Sequence, residues 1–418
     1  MKRTIAWLLC CMLCIALLSG CGGQPAPTSN GGQATAALEP ADQGEEAPPE
    51  PIYLGLSVPM TGTGAESGLK QKFSVEFAIR QLNEKGGIQG ARVELITLDD
   101  AQDATQAATV AQTLCDDERI TAVIAHSASA VSAVTQPIFE ENNMPNIHPG
   151  SSVDSLSGFG YTYWWRNYPK NSNAYPSTCA YIVNDLKLTK VALIYQNAEM
   201  GVELSKYAAQ VAASGKLEIV MDEAFNSGSE NDFSTLITKV MATDAEAILF
   251  IGNYTEGGTL LKQMYDMGCK LPVVSNNWLT YQTTIDLAGA EACANLACIC
   301  SPSPFSENET AKVYLEAFEK EFGEGAIPNG PAMCSYDAVF VIAKAMEEGA
   351  TKENLAQWCK NVDGYHDGVF TVDGLISGDG ISFEANGDLK APQYTIVKVN
   401  ENGKFYDEGL VDMAGFGY

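Results

Sequence analysis

Two short loops in the first half of the sequence carry hydroxyl groups in a pattern that suits binding of a small anion. One loop contains Ser127 and Ser129, and the other contains Ser151 and Ser152. Each loop follows a short apolar run of the kind found in parallel strands buried on both faces. Hydroxyls, together with the unpaired N–H groups at the start of a helix, favour a carboxylate or another small anion.

The elements around these loops predict that they lie side by side. Ala122–Ala125 reads as a strand followed by an amphipathic helix from Ala130 to Glu141, and Met144–Ile147 reads as the next strand. If the two strands are parallel neighbours, both loops lie at their carboxyl ends, where open α/β sheets bind ligands. The alternative is that the serines only cap helices, which serine does well.

Strand and helix patterns alternate along most of the chain. Ile52–Pro59, Val93–Leu98 and Val191–Tyr195 are typical strands, and amphipathic helices separate such runs. Alternation at this spacing predicts a doubly wound parallel sheet of the α/β class. The Gly-rich stretch after Tyr254 predicts a turn before a helix over Thr259–Met267.

The two serine loops resemble those of the branched-chain amino acid type of periplasmic binding protein, the solute-binding component of an uptake transporter. Both have a serine-rich loop before a helix that carries a proline, here Pro137, and then a P-x-S-S sequence after the next strand. The resemblance extends from about Ile52 to Phe405. Other matching motifs are PMTG at 59–62, LNEKGGI at 82–88, DFxxLI at 232–237, YDA at 336–338 and FxxNGD at 383–388.

This resemblance implies a type I periplasmic-binding fold, with two doubly wound parallel-sheet lobes joined by a hinge. We expect residues 52–168 with 303–375 to form the N-terminal lobe and 169–302 with 376–418 the C-terminal lobe. The aromatic stretch before Tyr168 resembles the family's crossover into the second lobe. We expect Arg166 to be structural there, and Trp164 and Trp165 to be core residues, although one of them could line the cleft.

The resemblance also implies which residues contact a ligand held between the lobes. The alternatives are an exposed loop for Ser67 and a packing role for Tyr254. The expected ligand-binding residues are Ser67, Ser129, Ala130, Gly150 and Ser152 from the first lobe, with Tyr254, Asn277 and Trp278 from the second.

One stretch departs from the family pattern. Amino-acid binders of this type commonly have an acidic residue in the segment SNNW, whereas this sequence has Asn276 and Asn277. A buried ammonium group needs a charged or multiply hydrogen-bonded partner. Either Glu66 or Asp337 supplies that charge, or the ligand is not a simple α-amino acid.

The N-terminus predicts secretion and lipid anchoring. Lys2 and Arg3 precede an apolar run that ends in Ser-Gly-Cys21, which is typical of a signal peptide over residues 1–20. The LLSGC ending resembles a bacterial lipobox with Cys21 as the lipidated residue; the alternative is an ordinary signal cleaved nearby. Residues 21–51 are poor in large apolar residues and predict a disordered linker.

Charge and residue counts narrow the class of protein further. The formal charge of −27 becomes −29 once Lys2 and Arg3 are removed with the signal, which argues against nucleic acid as a partner. Three cysteines lie in the signal, and the eight that follow Cys21 show no CxxC pair. We expect most of the eight to be buried free thiols, with no metal site and no cofactor.

His126 and His148 flank the two serine loops, and we expect them either to tune the pocket or to be solvated.

The sequence contains no nucleophile elbow, P-loop or dinucleotide-binding loop. We therefore expect a non-enzyme: an extracytoplasmic, lipid-anchored solute-binding protein of an ABC uptake transporter. Its ligand would be a small amino acid or a related carboxylate or amide, and its protein partner a membrane permease. The alternatives are a ligand sensor that signals to a receptor and a surface hydrolase.

Overall fold

The computed structural model of the protein describes residues 49–62, 64–226, 228, 230–306, 308–366, 375 and 380–416. The predicted signal peptide, Cys21 and nearly all of the predicted linker lie outside the described residues. None of the helices among the described residues is both long enough and apolar enough to cross a membrane.

The described residues form two β-sheets with helices packed around them. The strands are β1 Ile52–Val58, β2 Val93–Asp99, β3 Ile120–Ala125, β4 Asn146–Ile147, β5 Trp164–Trp165, β6 Lys190–Gln196, β7 Glu218–Phe225, β8 Ala247–Ile251, β9 Val273–Asn276, β10 Leu296–Cys300, β11 Thr395–Val399 and β12 Phe405–Leu410. The helices are α1 Ala65–Glu84, α2 Ala104–Asp116, α3 Ser129–Glu141, α4 Asn171–Ala180, α5 Glu199–Ala213, α6 Ser234–Met241, α7 Tyr254–Asp266, α8 Gln282–Ala288, α9 Glu309–Phe322, α10 Gly330–Glu347 and α11 Leu355–Cys359.

The first sheet has the order β2-β1-β3-β4-β5, and all of its pairs are parallel. Its central strands are apolar on both faces because both faces are covered. Leu54 and Ile124 face a core formed with α1 and α10, whereas Val123 and Ala125 face a second core that contains Val110 of α2. Alternating side chains of the same strands thus enter opposite cores, as expected for a doubly wound sheet.

The second sheet has the order β12-β11-β10-β9-β8-β6-β7. The strands from β10 to β7 are parallel, and β11 and β12 extend that sheet as antiparallel strands. Its two faces are also buried in separate cores, so that Ile194 lies in one and Leu193 in the other. The predicted fold class, two α/β lobes with doubly wound parallel sheets, is confirmed.

Short polar sequences set several helix boundaries. Asp103 caps α2 by accepting hydrogen bonds from the Thr105 and Gln106 N–H groups. The predicted Gly-rich turn after Tyr254 is wrong. Asn253 and Glu256 form a capping box that starts α7 at Tyr254, and the following glycines lie inside the helix.

The crossover after β5 is tied to the FxxNGD turn by a buried ion pair. Arg166 Nε donates to Asp388 Oδ1 at 2.7 Å, and both side chains are inaccessible to solvent. The same guanidinium donates to the carbonyls of Ser151 and Val153 at 3.1 and 2.9 Å. The structural role predicted for Arg166 is therefore confirmed, and so is the core position of Trp164 and Trp165.

The exact division of the chain between the lobes stays a prediction. Ile381, Phe383 and Leu389 pack in the core of the first sheet, although the sequence assigned residues 376–418 to the second lobe. Beyond these residues the chain returns to the second sheet, at Thr395. The eight described cysteines are all free thiols and seven are buried, as expected.

We expect Asp388→Asn to destabilise the protein by about 3–5 kcal/mol, because it leaves the Arg166 charge buried without its partner. Urea unfolding of the purified protein measures this loss. Asp266→Asn is the matched control, since Asp266 pairs with Lys262 at the surface and should cost less than about 1 kcal/mol. Equal losses in the two variants would contradict the structural role of the buried pair.

Candidate functional site

The two serine loops are in direct contact. Val123 and Ile124 of β3 pair with Asn146 and Ile147 of β4, so both loops begin at the carboxyl edge of the first sheet. There is no room for a side chain at Gly150, where a Cβ atom would lie 2.6 Å from the His126 carbonyl oxygen. The predicted adjacency of the loops is confirmed, and glycine permits their close approach.

Ser129 joins the two loops instead of capping a helix. Its Oγ accepts hydrogen bonds from the N–H groups of Ser152 at 3.1 Å and Val153 at 3.3 Å. The N-cap of α3 is Ala128, whose side chain makes no capping hydrogen bond. The first-turn N–H groups of α3, including that of Ala130, therefore have neither intrahelical partners nor a side-chain cap. Such a helix start attracts a negatively charged group.

Two of the other serines are used inside the protein. The Ser127 hydroxyl accepts a hydrogen bond from Gln71 Nε2, and the buried Ser151 hydroxyl lies 2.5 Å from Ser132 Oγ. Ser152 is half-buried, and its carbonyl accepts a hydrogen bond from the Asn171 N–H at 2.8 Å. The serines in these loops therefore have different roles, and Ser152 connects the loops to the second lobe.

The expectation that His126 and His148 are solvated is wrong. Both imidazoles are fully buried beneath the serine loops, with ring centroids 5.7 Å apart. His126 Nδ1 lies 2.9 Å from Asp100 Oδ2 and its Nε2 lies 2.8 Å from Thr135 Oγ1. This arrangement resembles a catalytic triad, but all three side chains are closed to solvent. We interpret it as support for the loops.

His148 continues this buried network. Its Nδ1 lies 2.8 Å from Ser132 Oγ, and its Nε2 lies 2.7 Å from Asn146 Oδ1. Burial, with further contributions from His126 and Arg166, holds the pKa of His148 well below its usual value. The neutral His148 ring thus hydrogen-bonds to Ser132, whose hydroxyl also contacts Ser151.

A cavity of about 90 Å³ lies next to Ser152, at the carboxyl ends of β9 and β10. Three of the predicted ligand-binding residues line it: Ser152, Asn277 and Trp278. Its remaining lining residues are Tyr168, Pro169, Asn171, Ala174, Tyr175, Met200, Leu204, Asn276, Ile299, Ser301 and Tyr394. The cavity therefore brings together residues from both lobes.

Four lining residues that the sequence analysis did not identify come from places where the chain passes between the lobes. Tyr168 precedes α4, Ser301 follows β10, and Tyr394 precedes β11. Tyr175 lies on α4, one turn after the first crossover. The sequence could have indicated these positions only through the requirement that three crossovers converge at a hinge. It does not show which side chains there face the cavity.

The other predicted contacts lie outside the lining of this cavity. Tyr254 is 38% exposed and packs against Tyr281, with ring centroids 4.9 Å apart. The Ser67 hydroxyl accepts a hydrogen bond from Asn329 Nδ2 at 2.9 Å. Neither candidate for the missing charge lines the cavity. Glu66 is exposed and paired with Lys70, and buried Asp337 accepts a hydrogen bond from the Leu375 N–H.

Asp154 links the first lobe to the helices of the second. Its carboxylate accepts hydrogen bonds from the Ser172 N–H at 3.1 Å and from the Tyr207 hydroxyl at 3.1 Å. Burial and the nearby Asp154 charge raise the pKa of Tyr207, so its hydroxyl stays protonated and donates. These contacts hold the crossover region beside the cavity.

A larger groove of about 700 Å³ lies elsewhere, between α1 and α9. Its lining mixes both signs of charge, with Lys72 and Arg80 near Glu76 and Glu321. It is formed by helix surfaces and contains none of the predicted ligand-binding residues. Among the described residues, no cluster of three or more His, Cys, Asp or Glu side chains could hold a metal ion.

Comparison with known proteins gives consistent matches over nearly the whole folded part. The profile of the periplasmic binding protein family matches residues 51–404. An amino acid binding protein of Pseudomonas aeruginosa is 27% identical over 85% of this chain and 92% of its own length. The leucine-specific-binding protein of Salmonella typhimurium is also 27% identical, over 84% of this chain and 92% of its own length.

A solved structure shows the same fold. The branched-chain amino acid transporter substrate binding protein LivJ from Streptococcus pneumoniae, in complex with isoleucine, matches with a TM-score of 0.66. The two chains are 24% identical, and the match covers 86% of this chain and 98% of that chain.

The buried state of His148 predicts a pH dependence of stability. Below about pH 6.5, His148 binds a proton in the unfolded chain but not in the folded protein. The free energy of unfolding should therefore fall as the pH drops below that value. One such group gives a slope of at most about 1.4 kcal/mol per pH unit. We expect His148→Gln to reduce this slope in urea unfolding between pH 5 and pH 7.

His366→Gln serves as the control for this measurement, since it replaces a histidine outside the network and keeps His148. It should retain the wild-type slope. A wild-type slope in His148→Gln as well would show that another group causes the pH dependence.

Proposed function

Because the chain belongs to the periplasmic binding protein family, we propose that it is the extracytoplasmic solute-binding component of an ABC uptake transporter. A lipid on Cys21 would anchor it to the outer face of the cell membrane, and a permease in that membrane would be its protein partner. The relatives named above are solute-binding proteins, which supports a binding function rather than an enzymatic one.

The ligand we propose is a small amino acid or a related carboxylate or amide. The observation that carries this proposal is the junction of the serine loops at the start of α3. There the Ser129 hydroxyl fixes the second loop, and the adjacent cavity is completed by the second lobe. The first-turn N–H groups at Ala130 and the Ser152 hydroxyl would hold a carboxylate. The names of relatives that bind leucine or isoleucine are consistent with such a group.

Binding would be coupled to movement of the lobes. The cavity is lined by Ser152 from the first lobe and by Asn277 and Trp278 from the second, so a ligand there contacts both. A ligand shifts a conformational equilibrium only as far as it binds one state better than the other. Contacts to both lobes would therefore favour a closed form by hinge closure, and that form is what we propose the permease recognises.

The hydrolase alternative has no comparable support. The triad-like group of Asp100, His126 and Thr135 is fully buried, and its ring nitrogens are occupied by hydrogen bonds within the protein. A catalytic base must reach a substrate within hydrogen-bond distance. This arrangement is therefore better explained as a support for the binding loops.

Thermal unfolding with added ligands tests the binding function. We expect at least one compound from a set of amino acids, short amides and aromatic acids to raise the melting temperature. A ligand at 100 times its Kd stabilises the protein by about 2.7 kcal/mol. For that compound, Ser129→Ala should weaken affinity at least about tenfold in calorimetric titration, since it frees the loop that presents Ser152.

Ser214→Ala is the control for this variant, because Ser214 is exposed at the end of α5, away from the serine loops. It should bind like the wild type. If Ser129→Ala also binds like the wild type, the assignment of the site is wrong.

Lipid anchoring is tested at Cys21. In cells that make the full-length protein, we expect Cys21→Ala to abolish incorporation of labelled fatty acid and to move the protein out of the membrane fraction. Cys14→Ala, within the predicted apolar segment of the signal, should leave both unchanged. Retention of the label in Cys21→Ala would contradict the proposed anchor.

A further inference from the structure

The polar groups that line the cavity beside Ser152 are neutral. Among the side chains that the structure describes, none that lines the cavity belongs to an Asp, Glu, Lys or Arg. The side chain of Glu199 is not among those described. The carboxylates near the lining are engaged elsewhere: Glu203 accepts a hydrogen bond from Asn171 Nδ2 at 3.3 Å, and Asp154 binds Ser172 and Tyr207. A cation that enters the cavity would lose water without gaining a partner of opposite charge.

Several polar groups of the lining are already paired within the protein. Asn276 Oδ1 accepts a hydrogen bond from the Trp278 N–H at 3.1 Å. The Asn276 side chain therefore holds its own loop. This pairing reduces its capacity to replace a carboxylate as a partner for an ammonium group.

Two of the lining residues carry hydroxyls of a different kind. Tyr175 is 2% exposed, and its hydroxyl has no hydrogen-bond partner among the described residues; the same is true of the buried Ser301 hydroxyl. Burial raises the pKa of Tyr175 well above its usual value, so its hydroxyl is protonated. Both groups are neutral and can donate as well as accept. Buried hydroxyls are normally paired, and an unpaired one marks a place where a partner is expected.

We infer that the ligand carries an uncharged hydrogen-bonding group, a hydroxyl or a carboxamide, at the end that enters this cavity, and no ammonium group there. This inference rests on the proposed function, because it assumes that the ligand's carboxylate sits at the serine loops. The ligand class is therefore a small carboxylate with a neutral polar substituent. A purely aliphatic end would leave the hydroxyls of Tyr175 and Ser301 unpaired, and an ammonium group would find no counter-charge among the described side chains of the lining.

Matched probes separate these possibilities by calorimetric titration of the purified protein. L-Leucine, 2-hydroxy-4-methylpentanoate and 4-methylpentanoate share one skeleton and differ in having an ammonium, a hydroxyl or a hydrogen at C2. 4-Hydroxybenzoate and benzoate place the same difference farther from the carboxylate. We expect a hydroxyl-bearing probe to bind at least about tenfold more tightly than its partners, because sites built to hydrogen-bond a group reject analogues that lack it.

Tyr175→Phe identifies the group responsible. It should remove most of the preference for the hydroxyl-bearing probe over the unsubstituted acid. It should not lower the melting temperature of the free protein, since the hydroxyl has no hydrogen-bond partner among the residues that the structure describes. Tyr314→Phe is the control: the Tyr314 hydroxyl lies 2.9 Å from Ser74 Oγ in the core of the first sheet. That variant should lose stability and keep the preference.

The outcomes distinguish the inference from the function on which it rests. Tightest binding of L-leucine, or a preference unchanged in Tyr175→Phe, overturns the inference and leaves the solute-binding function in place. Failure of every probe to bind, with no stabilisation by the wider set of amino acids, amides and aromatic acids, overturns both. Asn277→Asp adds an independent check, because a carboxylate at that position should shift the preference towards L-leucine by at least about tenfold.

Discussion

The structure depends on one contact between two loops at the carboxyl edge of the first sheet. Ser129 occupies the first turn of α3 and accepts hydrogen bonds from Ser152 and Val153. Gly150 permits this approach because any side chain would overlap the His126 carbonyl oxygen. The strands below are fixed by parallel pairing and buried on both faces. The helix start and the second loop are thereby held as one rigid surface, which is what a binding site for a small anion requires.

Buried polar groups support this surface from below and from the side. His126 and His148 are sealed beneath the loops and hydrogen-bonded to Asp100, Thr135, Ser132 and Asn146. Arg166 reaches the second loop through the carbonyls of Ser151 and Val153, and Asp388 of the C-terminal turn neutralises it. The buried Arg166 charge thus has a partner of opposite sign, without which its burial would be costly. The loops are therefore positioned by interactions distant in sequence, and a short motif alone cannot produce them.

Much of the fold and part of the site could be predicted from the sequence. Apolar runs predicted the strands, and helical periodicity predicted the helices between them. The positions of Ser129 and Ser152 followed from two loops at neighbouring strand ends. The start of α7 was predicted wrongly because the glycines after Tyr254 were taken to indicate a turn. The capping box of Asn253 and Glu256 starts the helix before them. The burial of the histidines and the cavity positions of Tyr175 and Ser301 depend on packing between distant segments, which local patterns do not encode. The roles of Tyr254 and Ser67 stay predictions.

We propose that the serine loops hold the acidic group of a ligand while the second lobe covers the rest. A crystal structure of the protein with its tightest-binding small acid tests it most directly. We expect the carboxylate within about 3.2 Å of the Ala130 N–H and the Ser152 hydroxyl, a distance typical of hydrogen bonds, with Trp278 or Tyr175 against the remainder. A ligand bound in the groove between α1 and α9, or one that contacts neither serine loop, would contradict this mode of binding.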